Sequence, residues 1–251
     1  MNKKILNLIM PLALVLTFAA CNNDDENLKE GESKVTLKST AQSSQSTSEN
    51  AKVEVGAFTI RIFQVGVQSI DMSYAAASDI KAGVSIGNTV LKSNASAELG
   101  TSATLPKTNN LIIDGKHQST VLGEGTTPNG NYSEITFKLF QNSTAASDSF
   151  AKGKSLYVIG EVNGKTTRVW LTAEESIRAT ASSPEGHIIE GNTDLFVRFN
   201  LNNLFANMNL ATAVDGNADG IIDIGPNNVD GNGALHTKVK ANLNSAVEFV
   251  K

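Results

Sequence analysis

Polar and apolar positions alternate along most of this chain, and the alternation has the period of a β-strand. Phe58-Thr59-Ile60-Arg61-Ile62 switches at every residue. From Tyr132 to Leu139 the switch is longer, with Ile135, Phe137 and Leu139 on one face and Glu134, Thr136 and Lys138 on the other. Alternation of this length marks a strand with one face on a core and one on water, as antiparallel sheets have. The same pattern predicts strands at 65–74, 84–91, 111–113, 155–161, 167–171, 176–180 and 194–201. Asn163-Gly164 stands between two such runs and predicts a tight hairpin, because a type I′ turn needs positive φ at both central residues. Pro128-Asn129-Gly130-Asn131 is a second turn signal. Many short strands at this spacing predict a mainly β fold, either an antiparallel β-sandwich or a barrel-like closure.

Two segments break the period. Leu201, Leu204, Phe205 and Met208 fall on one side of a helix, which predicts a single short helix there. Leu235, Val239, Leu243, Val247 and Val250 recur at steps of three or four, which predicts a C-terminal helix over 234–250. No internal repeat is visible.

The start of the chain is of a different kind. Residues 5–18 are an almost unbroken apolar run behind Lys3 and Lys4, too short for a confident membrane span of ~20 residues and well matched to a secretion leader. Ala19, Ala20 and Cys21 follow. This resembles the bacterial lipobox, in which the Cys becomes the acylated N-terminus of the mature protein; Phe18 departs from it, standing where Leu is commonest. The other reading is a secreted protein cut after Ala20 with a free thiol at Cys21. The resemblance implies a covalent lipid on Cys21 and tethering to the outer membrane of a Gram-negative bacterium, by several chains, since one acyl chain alone anchors only weakly. Asn22-Asn23-Asp24-Asp25-Glu26 then resembles a surface-export signal of such lipoproteins, or is a plain solvated linker. The alternative location is the periplasmic face of that membrane. Residues 22–50 have few large apolar side chains and a polar low-complexity run at 39–48, so 21–52 is expected to be a flexible tether and 53–251 the folded domain.

Composition narrows the picture further. The chain has 251 residues, 40% hydrophobic and 18% charged, enough for a folded core. Its formal charge is −4, and loss of Lys3 and Lys4 with the leader makes the mature protein more acidic still. An acidic chain without basic clusters does not suit nucleic acid, whose binding rests on phosphate neutralisation. One Cys allows no internal disulfide, and three His with one Cys leave little for a zinc site.

One motif carries chemistry. Asp215, Asn217, Asp219 and Asp223 occupy positions 1, 3, 5 and 9 of a loop over 215–226, with Gly220 at position 6. This is the D-x-[DN]-x-[DN]-G arrangement of calcium loops: Ca²⁺ takes 6–8 oxygens, and alternate residues of a tight turn converge their side chains. Ile221 would add a backbone carbonyl, and Asp230 could replace the bidentate Glu expected where Pro226 stands. Such extracellular loops bind with Kd of order 10⁻⁴–10⁻³ M. The plain alternative is a polar turn rich in Asp, Asn and Gly.

Other signals are weaker. Gly153-Lys154-Ser155 lacks the first glycine of a phosphate loop, since 148 is Asp. His117, His187 and His236 stand in no catalytic motif. Glu174, Glu175, Glu185 and Glu190 are paired carboxylates of a type that a glycan hydrolase uses at set separations. Trp170 shares a strand face with Arg168, opposite Val169 and Leu171. If the latter two face the core, Trp170 is exposed and can stack a sugar ring; otherwise it anchors a second layer.

From Gly130 to Phe137 onward, the order of features resembles an uncharacterised family of bacterial surface-lipoprotein β-sandwich domains. In that family a G-x-Y-x-x-I turn leads into a long strand, then a hairpin like 156–171, then a strand with a short helix like 195–205. The resemblance implies the fold and no activity. A non-enzymatic binding or structural role is expected, with a glycan or an envelope protein as partner. The alternatives are an extracellular glycan hydrolase using Glu174, Glu175 or Glu190, and a structural subunit of an envelope complex.

Overall fold

The computed structural model describes residues 31–45, 52–74 and 105–251. The leader, Cys21, the acidic cluster at 24–26 and the strand expected at 84–91 lie outside the described residues.

The protein is mainly β. In chain order its strands are β1 (Glu32–Gln42), β2 (Val53–Val55), β3 (Phe58–Tyr74), β4 (Lys107–Ile113), β5 (Lys116–His117), β6 (Thr120–Pro128) and β7 (Gly130–Leu139). They continue with β8 (Leu156–Val162), β9 (Lys165–Leu171), β10 (Ser176–Ala181), β11 (His187–Ile189), β12 (Thr193–Asn200), β13 (Ile221–Ile224) and β14 (Val247–Val250). Two α-helices, α1 (Leu201–Leu204) and α2 (Gly233–Asn242), accompany short 3₁₀ turns. The 14 strands of the described residues join one mixed sheet, with the main path β13-β9-β8-β3-β7-β10-β14-β12-β1-β6. Most pairings are antiparallel, as expected, but β1–β12, β10–β14 and β13–β9 are parallel.

The sheet does not close. It coils so that distant parts of its apolar face meet. Phe63 on β3 lies edge-to-face with Phe199 on β12 at 5.5 Å, although β7, β10 and β14 stand between them along the sheet. Phe137 reaches the same ring at 6.3 Å. The inward residues of the predicted alternation, among them Ile135, Phe137, Leu139, Val169 and Leu171, are buried in this core.

The stretches expected as two strands, 58–62 and 65–74, are one strand, β3, 17 residues long. It pairs with β8 along Phe58 to Val65 and with β7 from Val67 onward. The transfer falls at Gly66, whose N–H donates to the Ser155 carbonyl at 2.8 Å and whose carbonyl accepts the Phe140 N–H at 2.9 Å. A Cβ there would stand 2.1 Å from the Phe140 carbonyl oxygen, so only glycine permits both partners to close in. The hairpin at Asn163-Gly164 forms as read, with φ of 52° and 76°.

Two expectations are corrected. Among the described residues the fold already includes β1, within the segment read as tether, so it does not start at Val53. β1 lies between β12 and β6 and buries Val35, Leu37 and Ala41 fully or nearly so. Its other inward positions are Ser33 and Ser39, both fully buried. Small polar residues carry little hydrophobic signal, while backbone hydrogen bonds on both edges hold the strand. The helix expected over 234–250 stops at Asn242; Asn244–Ala246 is a 3₁₀ turn, and Val247–Val250 is β14. Val239 and Leu243 are buried as the helical spacing implies. Val247 and Phe249 belong instead to a period of two, and the slot between β10 and β12 satisfies the backbone of β14 on both sides.

The short helix is α1. Asn200 caps it, its side-chain oxygen accepting the Asn203 N–H at 3.1 Å. Leu201, Leu204 and Phe205 are buried, and Met208 packs against the core.

Candidate functional site

A polar cavity of about 240 Å³ opens where β1, β12 and β14 end, lined by Gln42, Ser44, Arg198, Asn200, Asn202 and Glu248. Strand register builds it. Val197 and Phe199 face the core, so Arg198 and Asn200 face out. Arg198 lies opposite Glu248, and Asn200 opposite Gln42. Glu248 Oε2 accepts from Arg198 Nε and Nη2 at 3.2 and 2.7 Å, and its Oε1 accepts from Asn200 Nδ2 at 3.3 Å. The Ser44 N–H donates to Asn202 Oδ1 at 2.7 Å. These bonds hold the planar groups in place, and among the described residues the Asn202 amide nitrogen makes no hydrogen bond. Among the described residues, the Gln42 side chain makes no hydrogen bond. The site therefore presents a carboxylate, a guanidinium and amides in one place, with no apolar residue in its lining.

A second cluster sits on the outer face of β8, β9 and β13. The inward side of β9 carries Thr167, Val169 and Leu171, so Arg168 and Trp170 point the other way. Trp170 is half-buried, because the chain over 140–155 returns across this face. Phe150 packs edge-to-face on Trp170 at 5.4 Å and on Tyr157 at 5.7 Å. Gly225 covers Trp170 closely: a Cβ on Gly225 would stand 2.2 Å from the indole ring. Trp170 thus joins a small second layer. The Lys154 ammonium lies 4.0 Å from the Phe150 ring centre and 5.4 Å from that of Trp170, while the Arg168 guanidinium lies 4.7 Å from Phe150. Arg168 is joined to Asp223, and this hydrogen bond raises the already high pKa of the guanidinium. Burial, then repulsion from Arg168, hold the Lys154 ammonium below its ordinary range, against an opposing pull from Asp223. Burial pushes the Tyr157 phenol up.

The acidic loop is organised by its own backbone. Asp215 Oδ1 accepts the Asp219 N–H at 3.1 Å and Oδ2 the Gly220 N–H at 3.0 Å. Asn217 Oδ1 accepts the Asp219 N–H at 2.9 Å, and Asp219 Oδ1 the Ile221 N–H at 2.8 Å. Asp215, Asn217 and Asp219 are therefore brought together. Asp223 is not with them: its carboxylate turns to Arg168. Asp230 Oδ2 accepts the Asp223 N–H at 2.8 Å. Among the described residues, no group of three or more His, Cys, Asp or Glu is arranged to hold a metal ion.

The carboxylates considered for hydrolysis are dispersed in their roles. Glu175 pairs with Lys240 at 2.7 Å, Glu174 accepts the Gln141 N–H at 3.5 Å, and Glu185 and Glu190 are exposed. None of the four lines the cavity. Sequence reading missed the cavity residues. The one signal available was the outward period-two placement of Arg198 and Asn200; Glu248 was hidden in the expected helix and Gln42 in the expected tether.

No family model matches the chain, and no curated protein does. Among solved structures, MbnP from Methylosinus trichosporium is similar at 9% identity and a TM-score of 0.38, over 74% of this chain and 81% of that one.

Proposed function

We propose that this chain is a membrane-anchored envelope lipoprotein with a non-enzymatic binding role, and that it takes a hydroxyl-rich ligand, such as one residue of a glycan, in the cavity between β1, β12 and β14. The observation that carries this reading is the lining: Gln42, Asn200 and Asn202 amides beside the Arg198–Glu248 pair. The Asn200 and Asn202 amides and the Arg198–Glu248 pair, each held by a neighbour, exchange hydrogen bonds with hydroxyls at little ordering cost, and Gln42 adds an uncommitted amide. The volume lies below the roughly 300–1,000 Å³ of pockets for drug-sized ligands, which suits a single small polar unit. The Ala19-Ala20-Cys21 sequence supports the anchor. The Asp215, Asn217 and Asp219 arrangement supports a structural calcium loop, with Asp223 outside the ligand set because Arg168 holds it.

Glycan-array binding of the purified full chain in detergent tests the reading, followed by titration of the best glycan against Gln42→Ala. Gln42 is exposed, so its loss spares the fold. The expected result is a selective glycan signal weakened by about tenfold in the variant, the worth of one lost hydrogen bond. Equal affinity in Gln42→Ala, or no glycan signal, overturns it. Metabolic labelling with palmitate tests the anchor, and label persisting in Cys21→Ser would remove it.

A further inference from the structure

The strands that build the cavity run between two opposite ends of the domain. β1 enters at Glu32 and leaves at Gln42, 11 residues in all, a length of about 33 Å. The cavity is at the Gln42 end, where Asn200 closes β12 and Val247 opens β14. The opposite end gathers the start of β1, the turn after β6, β11 and the end of β14. There the Asn129 N–H donates to the Gly31 carbonyl at 2.7 Å, Ile188 lies opposite Asn131, and Lys251 Nζ donates to the Ile188 carbonyl at 2.6 Å. Ile188 is 59% exposed. The charged residues of this end are of both signs, Lys34 and Lys251 with Glu32, Glu185 and Glu190. Cys21 stands only ten positions before Gly31, and ten residues reach at most about 36 Å in any conformation.

We propose that the Ile188 end is a docking surface for a zwitterionic lipid bilayer, and that the domain stands on it with the cavity at the far end, open to water. The proposal rests on the lipid anchor at Cys21. Turning the cavity onto the bilayer would require lifting the Glu32 end by about the length of β1, and this draws the ten residues out almost fully along the side of the domain. At any shorter reach the cavity cannot face the lipid. The constraint comes from β1, because a fold starting at Val53 would leave a tether reaching about 100 Å and no preferred end. The mixed charges at the Ile188 end give no preference for anionic lipid. An exposed Ile beside a Lys ammonium matches the boundary between headgroups and acyl chains, where the apolar group enters and the cation stays in water. A cavity held away from its own membrane takes its ligand from solution or from a facing structure, and not from the headgroups of the lipid in which it is anchored.

The test uses the acylated full chain reconstituted in phosphatidylcholine vesicles that carry an energy-acceptor dye on a fraction of their headgroups. A donor dye is placed on Glu185→Cys at the Ile188 end, or on Asn244→Cys, which is exposed in the turn before β14 at the cavity end. Cys21 is the sole native cysteine, and acylation removes it from labelling. Both substituted positions are exposed, so the melting midpoints should stay near that of the parent. The expected result is energy transfer severalfold stronger from Glu185→Cys than from Asn244→Cys, and unchanged when anionic lipid is mixed in. Equal transfer from the two positions, or stronger transfer from Asn244→Cys, in protein that floats with the vesicles overturns the orientation and leaves the anchor standing. Protein that does not float with the vesicles overturns the anchor, and the orientation with it.

Discussion

Arg168 on β9 and Asp223 on β13 stand opposite each other in a parallel strand pair and join through two hydrogen bonds, Nε to Oδ1 at 2.6 Å and Nη2 to Oδ2 at 2.5 Å. The Asp223 side chain is only 9% exposed and that of Arg168 25%. Removing one partner strands the other in a mostly dry setting. Arg168→Met should therefore cost about 2–3 kcal/mol, below the full range for a deeply buried pair because Arg168 keeps some water contact. Urea denaturation of Arg168→Met, Asp223→Asn and the double variant checks this. The double variant should recover part of the single losses, and strict additivity would mean that the two groups do not act as a pair.

Gly225 and Trp170 make a second close approach. A Cβ at position 225 would meet indole atoms at 2.2, 2.3 and 2.7 Å. Gly225→Ala should therefore force the ring away from Phe150 and lower stability by about 1–3 kcal/mol, as overpacking does. Trp170 is the sole tryptophan, so its fluorescence reports the displacement directly. An unchanged spectrum with unchanged stability would contradict the packing described.

The placement of β1 predicts where the chain can be cut. A chain starting at Val53 lacks the strand that pairs both β6 and β12, and it should not fold. A chain starting at Asn22 keeps it and should melt cooperatively. Leu37 is fully buried, and Leu37→Ala should cost about 2–5 kcal/mol. Circular dichroism of the two truncations settles the matter; a folded Val53 chain would return β1 to the status of a tether.

His236 on α2 makes stability depend on pH. Burial, and then the nearby Lys240, hold its imidazole below the ordinary 6.5. The folded state thus takes up the proton less readily than the unfolded chain. Between the folded value and 6.5 the unfolded state binds more protons, so stability rises with pH across that window and levels off above it. Denaturation midpoints of the parent and His236→Gln over this range should show the rise in the parent and a flatter response in the variant. Parallel curves would assign the pH dependence elsewhere.

The proposed calcium loop has a direct test. With Kd near 1 mM, 10 mM Ca²⁺ should stabilise chelated protein by about 1.4 kcal/mol, through binding to the native state alone. Asp215→Ala should abolish the gain. A melting midpoint unmoved by Ca²⁺ would leave the loop as a turn closed by its own N–H groups.

The amino-acid sequence by itself determined the β class, because alternation over segments such as Tyr132 to Leu139 has only one regular structure that buries one face. It also determined the Asn163-Gly164 turn and the short helix after Asn200, since positive φ and an N-cap are local demands met by local residues. It did not determine β1 or β14. Ser39, Ala41 and Val247 carry patterns that suit a tether or a helix as well as a strand, and only the slots between β6 and β12, and between β10 and β12, decide among them. The same holds for chemistry. Asp223 belongs to a calcium spacing in one dimension, yet it is turned to Arg168, 55 residues away, by a strand register that no local pattern contains. Gln42, Arg198 and Glu248 come from three parts of the chain, and meet because β1, β12 and β14 lie side by side. Local sequence sets which face of a strand is polar; the order of strands in the sheet sets which polar residues become neighbours.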